Sequence, residues 1–149
     1  MKKQFFLLLL VIVVIFSCNS APKFSDVMGK EWKLIKVAVN DREILFDRDT
    51  LANEDAGNIF TFNFDGQNFS GTGAPNRYSG QYTLGANQAI SMSAIISTKM
   101  APLRQPEKLR ENDYFDYMQN VYKWDLVDNN LELYSKTEDG AEVKLVFLL

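Results

Sequence analysis

The sequence predicts a mainly β domain: an antiparallel barrel-like or sandwich fold with one late helix packed on it. Three observations lead there. Short runs that alternate apolar and polar residues recur, separated by turn signals at intervals of about ten residues. A helical apolar stripe occurs once, late in the chain. The 149 residues, 46% hydrophobic and 13% aromatic, suffice for one sizeable core and not for two. Strands alternating with helices, as a βαβ fold requires, are missing from this pattern.

Residues 1–17 read as a removable targeting segment. Lys2 and Lys3 give a positive start, the apolar run Phe5 to Phe16 follows, and Ser17-Cys18 closes it. A run of 12 residues falls short of the roughly 20 needed to cross a hydrocarbon core of about 30 Å. Ile15-Phe16-Ser17-Cys18 resembles the lipobox of bacterial lipoproteins, in which the cysteine is lipidated and becomes the first residue; Phe16 stands where a smaller side chain is usual. The resemblance implies lipidation at Cys18 and a lipid-anchored place in the cell envelope. A plain secretory signal with an unmodified Cys18 is the alternative. Residues 18–26, polar and containing Pro22, read as a short lipidated tether, and residues 27–149 as the domain. Loss of Lys2 and Lys3 takes the net charge from −3 to −5, so membrane contact is expected through lipid and not through basic attraction.

Within the domain, Glu31 to Asn40 is the first strand. Its apolar parity switches between Leu34 and Ile35, which predicts a bulge or burial on both faces. Asn40-Asp41 turns into a return strand, Arg42 to Phe46. Asp47 to Asp55 is polar and acidic and is expected to be a solvated loop; as a calcium loop it fails, because Leu51 occupies a ligand position and the turn glycine is absent. Asn58 to Asp65 sets Phe60, Phe62 and Phe64 on one face, a central part of the core. Asp65-Gly66 turns this strand into Gln67 to Gly73. Beyond a Pro75-Asn76 turn, Tyr78 to Leu84 and Ala89 to Ser93 are strands, while Ile95 to Met100 is ambiguous. The helix is expected from Pro106, with Glu107 and Glu111 at the positive end of its dipole. Tyr114, Tyr117, Met118, Val121 and Tyr122 form its apolar stripe. Tyr122 to Val127, Leu131 to Ser135 and Glu142 to Leu149 close the domain, with Val143, Leu145, Phe147 and Leu149 on the buried face.

Charge is balanced: 16 basic against 19 acidic residues leave no surplus to attract nucleic acid. With no histidine and one cysteine, the chain supplies no imidazole base, no His-ligated metal, no thiolate zinc site and no intrachain disulfide. No catalytic residue, metal or cofactor is expected.

Four stretches then fall in a recognisable order: Trp32 in the first strand, Phe69-Ser70-Gly71-Thr72-Gly73, Asn76-Arg77-Tyr78-Ser79-Gly80-Gln81-Tyr82, and Ser97-Thr98-Lys99-Met100-Ala101. In order and spacing they resemble the META (HslJ-like) domain of envelope and secreted proteins, over about Val27 to Leu149. The resemblance implies that fold and a non-enzymatic role linked to stress tolerance. Many members carry one cysteine just before the Asn and another just after the Met-Ala; Pro75 and Pro102 stand there in this chain. It follows from the resemblance that these prolines should lie within the ~7 Å reach of a disulfide, and that a redox role has lost its thiols.

Asn76, Arg77, Tyr78, Ser97 and Thr98 are the candidate binding residues, a polar rim around a small pocket. The structural alternative is that Asn76 sets a turn, Tyr78 packs its ring and bonds its hydroxyl, and Ser97 and Thr98 satisfy backbone groups. Two functions follow. One is a monomeric, non-enzymatic lipoprotein that binds an unknown protein partner. The other is a small-ligand-binding β-barrel, in which Phe60, Phe62 and Phe64 would line a cavity of a few hundred Å³ instead of packing against Val143, Leu145 and Phe147.

Overall fold

The alternating runs form ten strands: β1 (Trp32–Val39), β2 (Arg42–Leu45), β3 (Thr61–Asp65), β4 (Asn68–Thr72), β5 (Arg77–Leu84), β6 (Ile90–Met92), β7 (Ile96–Ser97), β8 (Lys123–Val127), β9 (Asn130–Lys136) and β10 (Glu142–Leu148). They are seen in a computed structural model that describes residues 21–54, 56–100, 106 and 108–149. Neighbouring strands follow the order β6-β5-β4-β3-β1-β10-β9-β8, with β2 added to β1 and β7 to β5. At the seam, Ile90 N donates to Tyr122 O at 3.1 Å and Trp124 N to Gln88 O at 3.0 Å. The antiparallel sheet thus curls into a nearly closed barrel, which leaves few open edges. The register shift between Leu34 and Lys36 is the bulge that the parity switch in β1 predicts; it lets β1 leave β3 and take up β2.

Inside the barrel the space is filled. Phe60, Phe62, Phe64, Phe69, Leu145 and Phe147 are all 0% exposed, and the Phe62 ring lies 5.8 Å from Phe147 and 4.5 Å from Phe64. Each end has its own plug. At one end a 3-10 turn, Phe24–Asp26, inserts Phe24 among Phe64, Tyr82 and Trp124. At the other lies the late helix, α2 (Glu111–Gln119), whose Tyr114 and Met118 are 0% exposed. Truncating a phenylalanine in such a core typically costs about 3–5 kcal/mol, because the surroundings cannot collapse into the gap.

Several expectations are corrected. Asp47 to Asp55 is not simply a loop: Arg48–Asn53 is a short helix, α1, and Asp47 caps it by accepting from Asp49 N at 3.0 Å and Thr50 N at 3.3 Å. Acidic side chains read as solvated residues include a helix cap, whose carboxyl those Thr50 and Asp49 amides hold below the usual carboxylate range. The late helix begins at Glu111, not at Pro106, with Arg110 as its N-cap. Val121 and Tyr122 therefore fall beyond it, and Tyr122 is 41% exposed while Phe115 joins the buried face. Leu149, expected on the buried face of the last strand, lies just past β10 and is 56% exposed. Ile95 to Met100 contributes only the two-residue β7, paired to Tyr78 and Ser79.

Candidate functional site

A polar knot forms where the β4–β5 connection meets the start of α2. Glu111 is buried, and its Oε1 accepts from Ala74 N at 2.5 Å and Asn76 N at 2.6 Å, while Oε2 accepts from Asn76 Nδ2 at 2.6 Å. The same Asn76 side chain reaches the other way. Its Oδ1 accepts from Met100 N at 2.6 Å and from the Thr98 hydroxyl at 2.9 Å, and the Thr98 oxygen accepts from Arg77 N at 3.1 Å. One amide thus joins the helix, the turn after β4 and the segment after β7. A carboxylate that collects three donors holds its backbone neighbours more firmly than neutral acceptors would.

Tyr78 forms a second buried link. Its hydroxyl donates to Thr61 O at 2.9 Å, so the Tyr114 hydroxyl, 2.8 Å away, donates to Tyr78 in turn. Burial pushes the phenol of Tyr78 well above its ordinary range, and that of Tyr114 likewise. Two motif glycines explain themselves here. A Cβ on Gly71 would stand 2.0 Å from Thr61 O and 2.8 Å from the Tyr78 hydroxyl, and one on Gly73 would stand 2.5 Å from Glu111 Oε1. Both positions must be bare for the backbone to come this close. Nearby, the Arg48 guanidinium donates to Ile59 O at 2.9 Å and Phe60 O at 3.1 Å, fixing Phe60 in the left-handed region at φ 49°.

Over this knot, on the outer face of β3, β4, β5 and β7, runs a trough. One part, about 580 Å³, is lined by Thr61, Asn63, Ser70, Thr72, Arg77, Ser79, Ile96, Ser97 and Thr98 among others; a second, about 560 Å³, shares Thr61, Thr72, Arg77 and Thr98 and continues to Asn58, Pro75 and Met100. Register explains the floor. Thr61 pairs with Thr72 and Thr72 with Arg77, and Asn63 pairs with Ser70 and Ser70 with Ser79, so two polar rows lie across three strands, short side chains throughout except for Arg77. Ser70 Oγ donates to Asn63 Oδ1 at 2.7 Å within it. Ile96, 76% exposed, and Met100, 57% exposed, are the apolar side chains at its margin.

The five candidate residues therefore divide. Arg77, Ser97 and Thr98 line the trough and are exposed, whereas Asn76 and Tyr78 are buried beneath it. For the buried pair the structural reading describes the geometry. Glu111, read from sequence only as a dipole partner, is the acceptor on which the knot depends; the outward hydroxyls of β3 and β4 were also missed, although their polar parity is visible. Cys18 and Pro102 lie outside the described residues, so neither the lipidation site nor the proline separation is seen; Met100, two positions before Pro102, does bond to Asn76, next to Pro75. Among the described residues no group of His, Cys, Asp and Glu side chains is arranged to hold a metal ion.

The META domain family matches residues 25–147. The chain belongs to that family. No curated protein matches it. Among solved structures, this META domain is similar to a protein from Burkholderia xenovorans determined by NMR, at 17% identity, with 86% of this chain and 92% of that chain covered and a TM-score of 0.59. It is also similar to a DUF4847 family protein from Bacteroides vulgatus in a crystal structure, at 15% identity, with coverage of 82% and 93% and a TM-score of 0.53. At these identities the likeness shows the fold of the META domain and carries no activity with it.

Proposed function

We propose that this META domain is a lipid-anchored, non-enzymatic envelope protein, stress-related as its resemblance to HslJ-like proteins implies, which acts by binding a partner in the trough. The observation that carries the reading is the contrast between interior and wall. The barrel is filled by Phe60, Phe62, Phe64 and Phe147 and plugged at both ends, whereas the outer trough is lined by hydroxyls, amides and the exposed Arg77. Short polar side chains on paired strands offer hydrogen bonds from a rigid floor at little entropic cost. Arg77 adds a planar cation suited to a carboxylate, and Ile96 with Met100 adds apolar contact.

A chain without histidine has no imidazole to activate Ser97 or Thr98, and the Thr98 hydroxyl is already engaged with Asn76 and Arg77. Binding therefore fits the trough better than catalysis. The ligand-binding alternative survives in altered form. At about 580 Å³ the trough is of small-molecule size, so a polar small ligand would sit on the wall and not within the barrel. The test is capture from membrane extracts with the native lipoprotein beside an Arg77→Glu variant of equal melting temperature. A partner retained by the first and lost from the second supports the proposal; partners retained equally by both would refute it.

A further inference from the structure

The first described residues lie at one end of the barrel, and the trough opens toward the other. Phe24 is held by Phe64 at 4.8 Å, Trp124 at 5.1 Å and Tyr82 at 5.4 Å between ring centres. The residues after it are also fastened: Gly29 N donates to Phe64 O at 2.9 Å, and Trp32 Nε1 to Val27 O at 3.0 Å. The surface around this plug is the Asp65-Gly66 turn, where the Tyr82 hydroxyl donates to Gly66 O at 2.7 Å, together with Met28, Gln67 and the half-exposed Leu84. At the opposite end lie α1, the Pro75 turn, Arg77 and the start of α2. The antiparallel register fixes this polarity, since Asp65 pairs with Asn68 and Asn68 with Gln81, while Thr61 pairs with Thr72 and Thr72 with Arg77.

We infer that the domain stands with its Phe24 end toward the lipid headgroups and presents the Arg77 end of the trough to the aqueous side. The inference rests on the lipid-anchor reading of Cys18 and adds an orientation to it. The six steps of chain from Cys18 to Phe24, whatever their conformation, reach at most ~22 Å. β5 runs along the wall between the two ends with eight residues, ~24 Å of strand and about 18 Å of height once the tilt of barrel strands is included. To bring the Arg77 end to the bilayer, the tether would have to lie back along the wall at nearly full stretch. Few conformations satisfy that, so chain entropy opposes it. Because Phe24 is wedged among three rings, the tether cannot gain length by peeling the first turn away without opening the core. A partner would then meet the trough without having to approach the membrane.

The sequence makes the test direct, since Cys18 is its sole cysteine and acylation blocks that thiol. Full-length acylated protein carrying Gln67→Cys, Leu84→Cys or Asn53→Cys is labelled with a fluorescent maleimide and reconstituted into phosphatidylcholine–phosphatidylglycerol vesicles containing a headgroup-nitroxide lipid. All three are exposed, the first two beside the plug and Asn53 at the end of α1. The expected result is quenching at least about twofold stronger at residues 67 and 84 than at residue 53, since the sites differ by most of the tether's reach. Equal quenching, or stronger quenching at residue 53, from protein that floats with the vesicles would overturn the orientation and leave the anchor standing. Protein that does not float, with an intact mass lacking acyl chains on Cys18, would overturn the anchor and the orientation with it.

Discussion

Glu111 shows how much one side chain can organise. Its three donors come from Ala74 and Asn76, and in its absence the two backbone amides would remain buried without an acceptor while Asn76 Nδ2 kept only Met100 O at 3.3 Å. Hydrogen bonds to a charged group contribute about 1.5–3 kcal/mol each and are not additive, so Glu111→Ala should cost at least about 3 kcal/mol. A urea titration should show this as a lower midpoint with an unchanged slope; a midpoint at the wild-type value would mean that the knot does not stabilise the fold. Gly71→Ala should be as damaging, at about 3 kcal/mol or loss of folding, because its new Cβ meets the Thr61 carbonyl oxygen at 2.0 Å and the buried Tyr78 hydroxyl at 2.8 Å. The buried phenols set an alkaline limit. Below pH about 10 the two are protonated in both folded and unfolded chains and the full stability is present; above it the unfolded chain releases protons that the folded Tyr78 and Tyr114 retain, so stability falls as pH rises. Ultraviolet titration should therefore find that Tyr78 and Tyr114 ionise only together with unfolding. Their ionisation in the intact fold would contradict the buried link.

At the scale of elements, strands were legible because period two survives in short runs: the β3–β4 hairpin at Asp65-Gly66 and β10 lie where the alternation puts them, whereas β3, expected from Asn58, starts at Thr61 and leaves Phe60 before it with its ring still in the core. Helices were less legible. α1 has six residues, too few for a stripe, and only Asp47 as a cap marks its start. α2 starts five residues after Pro106, since a proline suited to a first helical turn does not oblige one. The polar rim was half legible. Arg77, Ser97 and Thr98 stand out as a polar block, but the trough also needs β3, β4 and β5 side by side, and the knot needs a carboxylate 35 positions from Asn76. No local pattern contains that pairing. The contact between Asn76 and Met100 leads to a further expectation: Pro75→Cys with Pro102→Cys should oxidise to a cross-link worth about 2–4 kcal/mol. Failure to form it under oxidising conditions would place the two positions beyond disulfide reach.

For the whole molecule, the same strands serve two surfaces of opposite character. Their inward residues fill a barrel whose ends are plugged by Phe24 and by α2, and their outward residues on β3, β4 and β5 form the polar trough. This division assigns the motif block of the META family a double role. Gly71, Asn76 and Tyr78 build the wall from within, and Arg77, Ser97 and Thr98 face whatever the wall meets. The claim that function resides in that trough is tested most directly by photo-crosslinking in living cells. A benzophenone amino acid is placed at Ser79, on the trough floor, and for comparison at Lys136, exposed on β9. A discrete adduct from residue 79 that is missing from residue 136, and that disappears when Arg77→Glu is added, is the expected result. Adducts of equal yield from both positions, or an adduct from residue 136 alone, would contradict it.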